Sequence, residues 1–183
     1  MGFFEELPDP PLRRQRAREP AWNAPPGGEM PVPVALELVV GRSDDAAVLV
    51  GPLRVYSTGF ELALTVLVRE WQEPFFYPLN RHHQARKEDV LRFALAFADG
   101  TRGEVEDHQR SGGSPERTLT SRGGTSGEGR WDLRLWSWPL PPPGQIEAVC
   151  LWPGFSIPET RASFDAQPVL DAAARVERLW PDD

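Results

Sequence analysis

The feature that most constrains this fold is an alternation of apolar residues with a period of two, in segments that stay short. Residues 60–68, FELALTVLV, carry an apolar residue at every second position, namely Phe60, Leu62, Leu64, Val66 and Val68. A strand directs these side chains to one face, whereas a helix would scatter them around its circumference. Twenty prolines and sixteen glycines in 183 residues also interrupt the chain too often for long helices. The sequence therefore predicts a mainly β protein.

Other segments repeat this pattern, with turn signals between them. Residues 91–97 alternate in the same way, and Asp99-Gly100 follows them. This dipeptide is a strong hairpin signal because both residues tolerate a positive φ. Gly51-Pro52 splits an apolar run over 46–56, which predicts a bulge or kink in one strand. Residues 107–129 are rich in glycine and predict a long loop.

Four of the seven tryptophans lie between residues 129 and 158. In the strand predicted there, one face carries Trp131, Leu133 and Leu135, and the alternation places Trp136 and Trp138 on the other face. We expect Trp131 and the strand residue Trp152 to be core residues. Trp136 and Trp138 are therefore the candidates for exposure, and for stacking on a ligand.

These elements predict an antiparallel β-sandwich of the immunoglobulin-like type, with about seven to nine strands. A small closed barrel is the alternative. Residues 1–31 are expected to form an extended, Pro/Arg-rich N-terminal arm, and residues 32–183 a single domain. A C-terminal helix over about 166–179 is predicted from Asp165 as its cap, and from an apolar stripe at helical spacing formed by Val169, Ala173, Val176 and Trp180.

The charge and the cysteine content exclude several classes of protein. A formal net charge of −7 gives no general attraction to nucleic acid or to an anionic membrane. No run approaches the roughly 20 apolar residues of a membrane-spanning helix, and the paired arginines Arg13-Arg14 lack the apolar core of an export signal. Cys150 is the single cysteine, so an intramolecular disulfide is excluded. We expect a cytoplasmic protein.

No catalytic or metal-binding pattern emerges from the chain. His82 and His83 are adjacent, so an extended backbone points them in opposite directions, and we expect neither a metal ion nor another cofactor. Residues 124–128, GTSGE, fail the pattern of a nucleophile elbow because Glu128 stands where glycine is needed. Cys150 lies in an apolar strand, where burial raises the pKa of a thiol and leaves it inert. The sequence favours a protein that is not an enzyme, and nominates no catalytic residue.

Two basic segments are the candidates for contact with a partner. The N-terminal arm contributes Arg13, Arg14, Arg16 and Arg18. The segment 70–88 mixes aromatic and basic residues as binding surfaces do, and its candidates are Phe75, Phe76, Tyr77, Arg81, His82, His83, Arg86 and Lys87. We expect its basic half to be exposed.

Several stretches, WNAPPGGEMP from Trp22, YSTGFELAL from Tyr56, LRFALAFADG from Leu91 and WSWPLPPPGQIEAVCLWP from Trp136, resemble a group of uncharacterised actinobacterial proteins. The similarity runs from about Trp22 to Trp180. It implies a shared lineage and a compact domain, and it implies no activity or catalytic residue.

The sequence thus predicts a non-enzymatic, adaptor-like binding or structural module that engages a protein partner through the arm and the 70–88 segment. A homodimer formed at exposed strand edges is a further possibility. Two alternatives remain open. One is a small-ligand or carbohydrate binder that uses exposed tryptophans, and the other is a hydrolase whose site would involve His82, His83 or His108.

Overall fold

A computed structural model of the protein describes residues 19–70, 79, 90–106 and 116–180. This part of the chain is mainly β, with one short helix and a single 3₁₀ turn over Pro153–Phe155. Its strands are β1 (Glu29–Met30), β2 (Val32–Val34), β3 (Leu38–Arg42), β4 (Ala46–Val55), β5 (Phe60–Val68), β6 (Arg92–Phe97), β7 (Arg102–Glu106), β8 (Thr118–Gly127), β9 (Arg130–Trp138), β10 (Gln145–Trp152), β11 (Ile157–Asp165) and β12 (Glu177–Arg178), and its helix is α1 (Gln167–Ala173).

Ten of these strands form one continuous mixed sheet. Its order is β11-β10-β6-β7-β8-β9-β5-β4-β2, and β3 pairs with β4 beside β2. The pairing of β7 with β8 is parallel, with Val105 opposite Leu119, so the prediction of a purely antiparallel sheet is wrong at this pair. An immunoglobulin-like arrangement of two separate sheets is not confirmed, because the strands follow a single path. The two-stranded pair of β1 and β12 lies apart from this sheet.

The sheet curls until its two ends meet. Strand β3, at one end, lies against β11, at the other, although no backbone hydrogen bond joins them in the described chain. Gly41 of β3 permits this approach, since a Cβ atom there would lie 2.5 Å from the Sγ atom of Cys150 and 2.7 Å from Cγ2 of Ile157. The helix α1 packs on β2 at the same end. Each end of the sheet is therefore packed against another element of the chain.

The interior of the curled sheet is the hydrophobic core. Residues at every second position of β4, β5, β6, β9 and β10 are buried there, as the alternation predicts. Trp131 and Trp152 are 1% and 0% exposed, so both core assignments are confirmed. The strand β4 carries the expected irregularity, a register shift between Val50 and Leu53. The hairpin at Asp99-Gly100 is confirmed too, with a φ of 83° at Gly100.

The loop predicted over 107–129, of which the structure describes residues 116–129, is wrong over residues 118–127. Residues 118–127 form β8, which pairs with β9 along its length. The glycines that indicate a loop in the sequence instead allow a close approach, because a Cβ atom on Gly124 would collide with the carbonyl oxygen of Asp132. A glycine-rich strand and a glycine-rich loop have the same composition, and only the neighbouring strand distinguishes them.

The C-terminal helix is shorter than predicted. Asp165 accepts a hydrogen bond from the backbone N–H of Gln167 at 2.9 Å, and α1 starts at Gln167 as expected. However, α1 ends at Ala173 rather than near residue 179. The chain then forms β12, which pairs with β1, and Trp180 is 64% exposed instead of continuing a buried stripe. The pairing with a strand almost 150 residues away overrides the local helical pattern.

Candidate functional site

Residues 19–31, which we name the covering segment, lie on the outer face of the sheet. Three side chains of β8 and β9 hold it by hydrogen bonds to its backbone carbonyls. The indole N–H of Trp136 donates to Ala21 at 2.9 Å, the hydroxyl of Thr118 to Trp22 at 2.8 Å, and Nη1 of Arg122 to Asn23 at 3.2 Å. The segment is thereby fixed to the strands beneath it, about 100 residues later in the chain.

A polar cavity of about 340 Å³ opens between the covering segment and the sheet. We name it the arginine pocket, because three of the residues that line it are arginines. Its ionisable lining residues are Glu29, Arg54, Tyr56, Glu61, Arg122 and Arg134.

The strand register places these side chains together. Glu61 of β5 lies opposite Arg54 of β4 on one side and opposite Trp136 of β9 on the other. Arg134 lies two residues before Trp136, opposite Ala63. Since alternate residues share a face, all of them point outward, away from the core.

Glu61 is a buried carboxylate, with only 9% of its side chain exposed. Its Oε2 atom accepts a hydrogen bond from the Tyr56 hydroxyl at 3.3 Å and lies 3.5 Å from Nη1 of Arg54. Tyr56 in turn meets the Trp136 ring edge-on, with ring centroids 5.6 Å apart. Burial first, and then the charge of Glu61, raise the pKa of Tyr56. Tyr56 therefore keeps its proton and acts as a donor.

The arginines of the pocket differ in how they are partnered. Arg122 forms an ion pair with Glu19 at 3.0 Å, and Arg54 lies against Glu61. Arg134 is exposed and makes no hydrogen bond or ion pair with any residue that the structure describes. Its guanidinium, with five N–H donors, remains open to a ligand in the pocket.

A second groove, of about 400 Å³, lies on the outer face of β6, β7, β10 and β11, and we name it the β6–β10 groove. Its charges are mostly paired with one another. Nε of Arg92 lies 3.0 Å from Glu104, and Arg161 bridges Glu147 at 3.0 Å and Glu159 at 2.8 Å. The exposed Arg102 also lines it. Between these charges the floor is apolar and no carboxylate is buried in it.

Of the two candidates for ligand stacking, Trp136 is 0% exposed. The alternation places it correctly on the outer face, but its predicted exposure is wrong because the covering segment and Tyr56 bury it there. Trp138 is half-buried and keeps part of its surface. Stacking of a sugar on a pair of exposed indoles is therefore not offered by this face.

The other candidate residues lie outside the described part of the chain, and the predictions about them remain predictions. For the N-terminal arm these are Arg13, Arg14, Arg16 and Arg18. For the 70–88 segment they are Phe75, Phe76, Tyr77, Arg81, His82, His83, Arg86 and Lys87. His108, which the hydrolase alternative also uses, lies outside it as well.

Over the described ranges, no cluster of three or more His, Cys, Asp or Glu residues could hold a metal ion. Within the same ranges no helix is long and apolar enough to cross a membrane. Cys150 is buried as expected, and burial raises the pKa of its thiol.

The residues of the arginine pocket were not identified from the sequence. Glu61 occupies an outward position of an amphipathic strand, where a glutamate is ordinary, and Arg134 occupies another. The sequence carries no signal that a segment more than 30 residues earlier covers this position.

The sequence matches no family model, no curated protein and no solved structure. The geometry of the pocket therefore carries the functional argument.

Proposed function

We propose that this protein is a non-enzymatic binding module whose arginine pocket takes a small ligand with a carboxylate or phosphate group. The observation that supports this most directly is Arg134, which lines the pocket beside Arg54 and Arg122 and has no partner among the described residues. A guanidinium presents its donors in a planar fork that matches both kinds of anion. The ligand's anionic group would accept hydrogen bonds from these N–H groups.

The surroundings of the pocket favour an anion locally. The protein as a whole is acidic, with a net charge of −7, yet three guanidiniums and two carboxylates line this cavity. The covering segment forms one wall of the cavity, and the exposed side chains of Arg54 and Arg134 are accessible to a ligand there. The local excess of positive charge would attract an anion although the protein as a whole is acidic.

The groups in the pocket are suited to binding. Tyr56 stays protonated, because burial and the charge of Glu61 raise its pKa, and the arginine side chains offer only N–H donors. The hydrolase alternative rests on histidines outside the described residues and remains a prediction. The cytoplasmic location is likewise a prediction from the sequence, and it forms part of this proposal.

The test is a titration with sodium butyrate and with inorganic phosphate, followed in amide spectra of the ¹⁵N-labelled protein. We expect shifts confined to residues around the arginine pocket. Arg134→Ala should weaken binding about tenfold, which corresponds to a lost charge-assisted hydrogen bond. The matched control is Arg102→Ala, which removes an exposed arginine from the β6–β10 groove and should change nothing. Equal affinity of the two variants, or shifts spread over the whole surface, would contradict the proposal.

A second candidate is the protein-binding module that the sequence indicates, and one observation favours it. Three large apolar side chains in or beside the pair of β1 and β12 are exposed, with Met30 at 50%, Leu179 at 52% and Trp180 at 64%. Leu179 and Trp180 lie beside Gly28, two residues before Met30, since the N–H of Leu179 donates to the carbonyl of Gly28 at 2.8 Å and a Cβ atom on Gly28 would lie 3.7 Å from the Trp180 ring. Clustered exposed apolar residues are typical of protein interfaces.

This candidate is tested by affinity capture with the wild type and with a Trp180→Ser variant. A defined partner that binds the wild type and is lost by the variant would support it. The same proteins recovered with both forms would count against this surface.

A further inference from the structure

We infer that the ligand of the arginine pocket is a small dipolar molecule, which carries an amine as well as its anionic group. The anionic half of this inference rests on the proposed function. The cationic half rests on a separate observation, the state of the Glu61 carboxylate.

Of the two carboxylate oxygens of Glu61, one has partners among the described residues and the other has none. Oε2 accepts the Tyr56 hydroxyl and faces Arg54, whereas Oε1 makes no hydrogen bond to the described residues. The side chain is nevertheless nine-tenths buried and lines the pocket. Oε1 is not one of the fully buried atoms that lack a hydrogen-bond partner, so a group in the pocket can reach it. A ligand ammonium group brings three donors to such a charged acceptor.

The strand register brings Glu61 and Arg134 close enough for one small ligand to contact both. Glu61 and Arg134 lie on adjacent strands and are displaced by one side-chain pair, since Arg134 faces Ala63. Such diagonal neighbours are separated by about 7–8 Å between Cα atoms. The small Ala63 side chain leaves room between them. A molecule with two to four carbons between its amine and its anionic group would reach both.

A simple anion or a simple cation fits the lining less well than a dipolar ligand does. A simple anion placed at Arg134 leaves Glu61 unsatisfied and is repelled by it. A simple amine placed at Glu61 approaches the guanidinium of Arg54. A dipolar ligand meets Glu61 with its amine and Arg134 with its anion, so each charge of the pocket is complemented.

Three matched probes test this inference on the full chain, namely γ-aminobutyrate, butyrate and n-butylamine. We expect γ-aminobutyrate to bind the wild type at least tenfold more tightly than butyrate, and n-butylamine to bind most weakly. Glu61→Gln keeps the shape of the side chain and removes its charge. It should reduce the affinity for γ-aminobutyrate to that for butyrate, while the affinity for butyrate stays the same or rises.

The outcomes separate this inference from the proposed function. Equal binding of γ-aminobutyrate and butyrate to the wild type would overturn the dipolar ligand and leave the anion-binding function standing. Binding of none of the probes, nor of phosphate, would overturn both. The relative affinities of the three probes for the wild type decide the inference without any variant. The test therefore still stands if the Glu61→Gln variant fails to fold.

Discussion

The arginine pocket and the β6–β10 groove are two concave regions on the outer surface of the same sheet, and they have similar volumes of about 340 and 400 Å³. Both are lined by arginine and glutamate, and each contains an exposed arginine, Arg134 or Arg102, that has no hydrogen-bond or ion-pair partner among the described residues. They differ in their walls and in their buried charges. The covering segment forms one wall of the pocket, and Glu61 is buried beside it. The groove is formed by the strands β6, β7, β10 and β11 and the turn at Gly100, and its arginines Arg92 and Arg161 are paired with glutamates.

The difference shows how a sheet face becomes a candidate binding site. Paired charges that are about half exposed are screened by water and contribute little energy. The covering segment buries Trp136 and lies beside the buried Glu61, whose charge is screened less by water. The covering segment, rather than the charged residues alone, therefore distinguishes the pocket from the groove.

The strongest way to break this comparison is to remove the anchor of the covering segment. Trp136→Ala should lower the free energy of unfolding by about 3–5 kcal/mol, because it deletes a fully buried indole and its hydrogen bond to Ala21. Val149→Ala, in the floor of the groove, is the matched change and should cost about 1 kcal/mol or less. Urea denaturation measures both, and similar losses would show that the segment adds nothing to the pocket.

The next test concerns Arg117, which supports the groove from below. Its Nε donates to Oγ1 of Thr101 at 2.8 Å, its Nη1 donates to the carbonyl of Pro139 at 3.1 Å, and its guanidinium lies 3.8 Å from the centre of the Phe97 ring. Arg117→Ala should cost about 2–3 kcal/mol, as expected for buried hydrogen bonds to a charged group.

The control for Arg117 is Arg92→Ala, which removes an arginine that is 55% exposed. It should cost no more than about 1 kcal/mol, the range of a surface ion pair. If thermal unfolding gives the same loss for both variants, the groove is held by its surface charges and not by Arg117.

A third, smaller effect is expected at the seam where β3 meets β11. Gly41→Ala places a methyl group against Cys150 and Ile157, and should lower the free energy of unfolding by about 1–3 kcal/mol. Gly27→Ala, at the pocket, is the matched control because no atom of the described residues lies within 4 Å of its Cβ position, and it should be neutral to within about 0.5 kcal/mol. An unchanged melting temperature for Gly41→Ala would mean that the ends of the sheet do not meet.

The smallest effect concerns Asp132, on the part of the sheet face that the covering segment leaves open. The hydrogen bond from Arg130 at 2.6 Å, and then the one from Thr65 at 2.7 Å, hold the pKa of this carboxyl below its ordinary value near 3.8. A lowered folded-state pKa contributes stability above the unfolded value, and this stability is lost as the pH falls through the folded one.

Because 43% of the Asp132 side chain is exposed, the contribution is a few tenths of a kcal/mol. Asp132→Asn should therefore lose less stability than the wild type between about pH 4 and pH 2. Denaturation curves at several pH values measure this, with Arg130→Gln as a second variant that should have the same effect. A wild-type curve parallel to both variants would contradict the assignment.

Much of the sheet could be predicted because its signals are local. The alternation in β5 and β6, the Asp99-Gly100 turn and the bulge at Gly51-Pro52 each lie within ten residues of sequence. The errors arose where a distant partner decides the outcome. Strand β8 is identified by its pairing with β9, and α1 stops where the chain turns to pair with β1.

Trp136 illustrates the difference between what the local sequence pattern specifies and what only the tertiary structure specifies. The sequence by itself determined that Trp136 is on the outer face of its strand, because the direction of a side chain follows from the two-residue period of the backbone. Only the tertiary structure decided that this face is covered at Trp136, that Glu61 is buried beside it, and that Arg134 has no partner among the described residues. These properties depend on a contact between residues about 115 positions apart. No local pattern specifies such a contact, since it is formed by the packing of the whole chain.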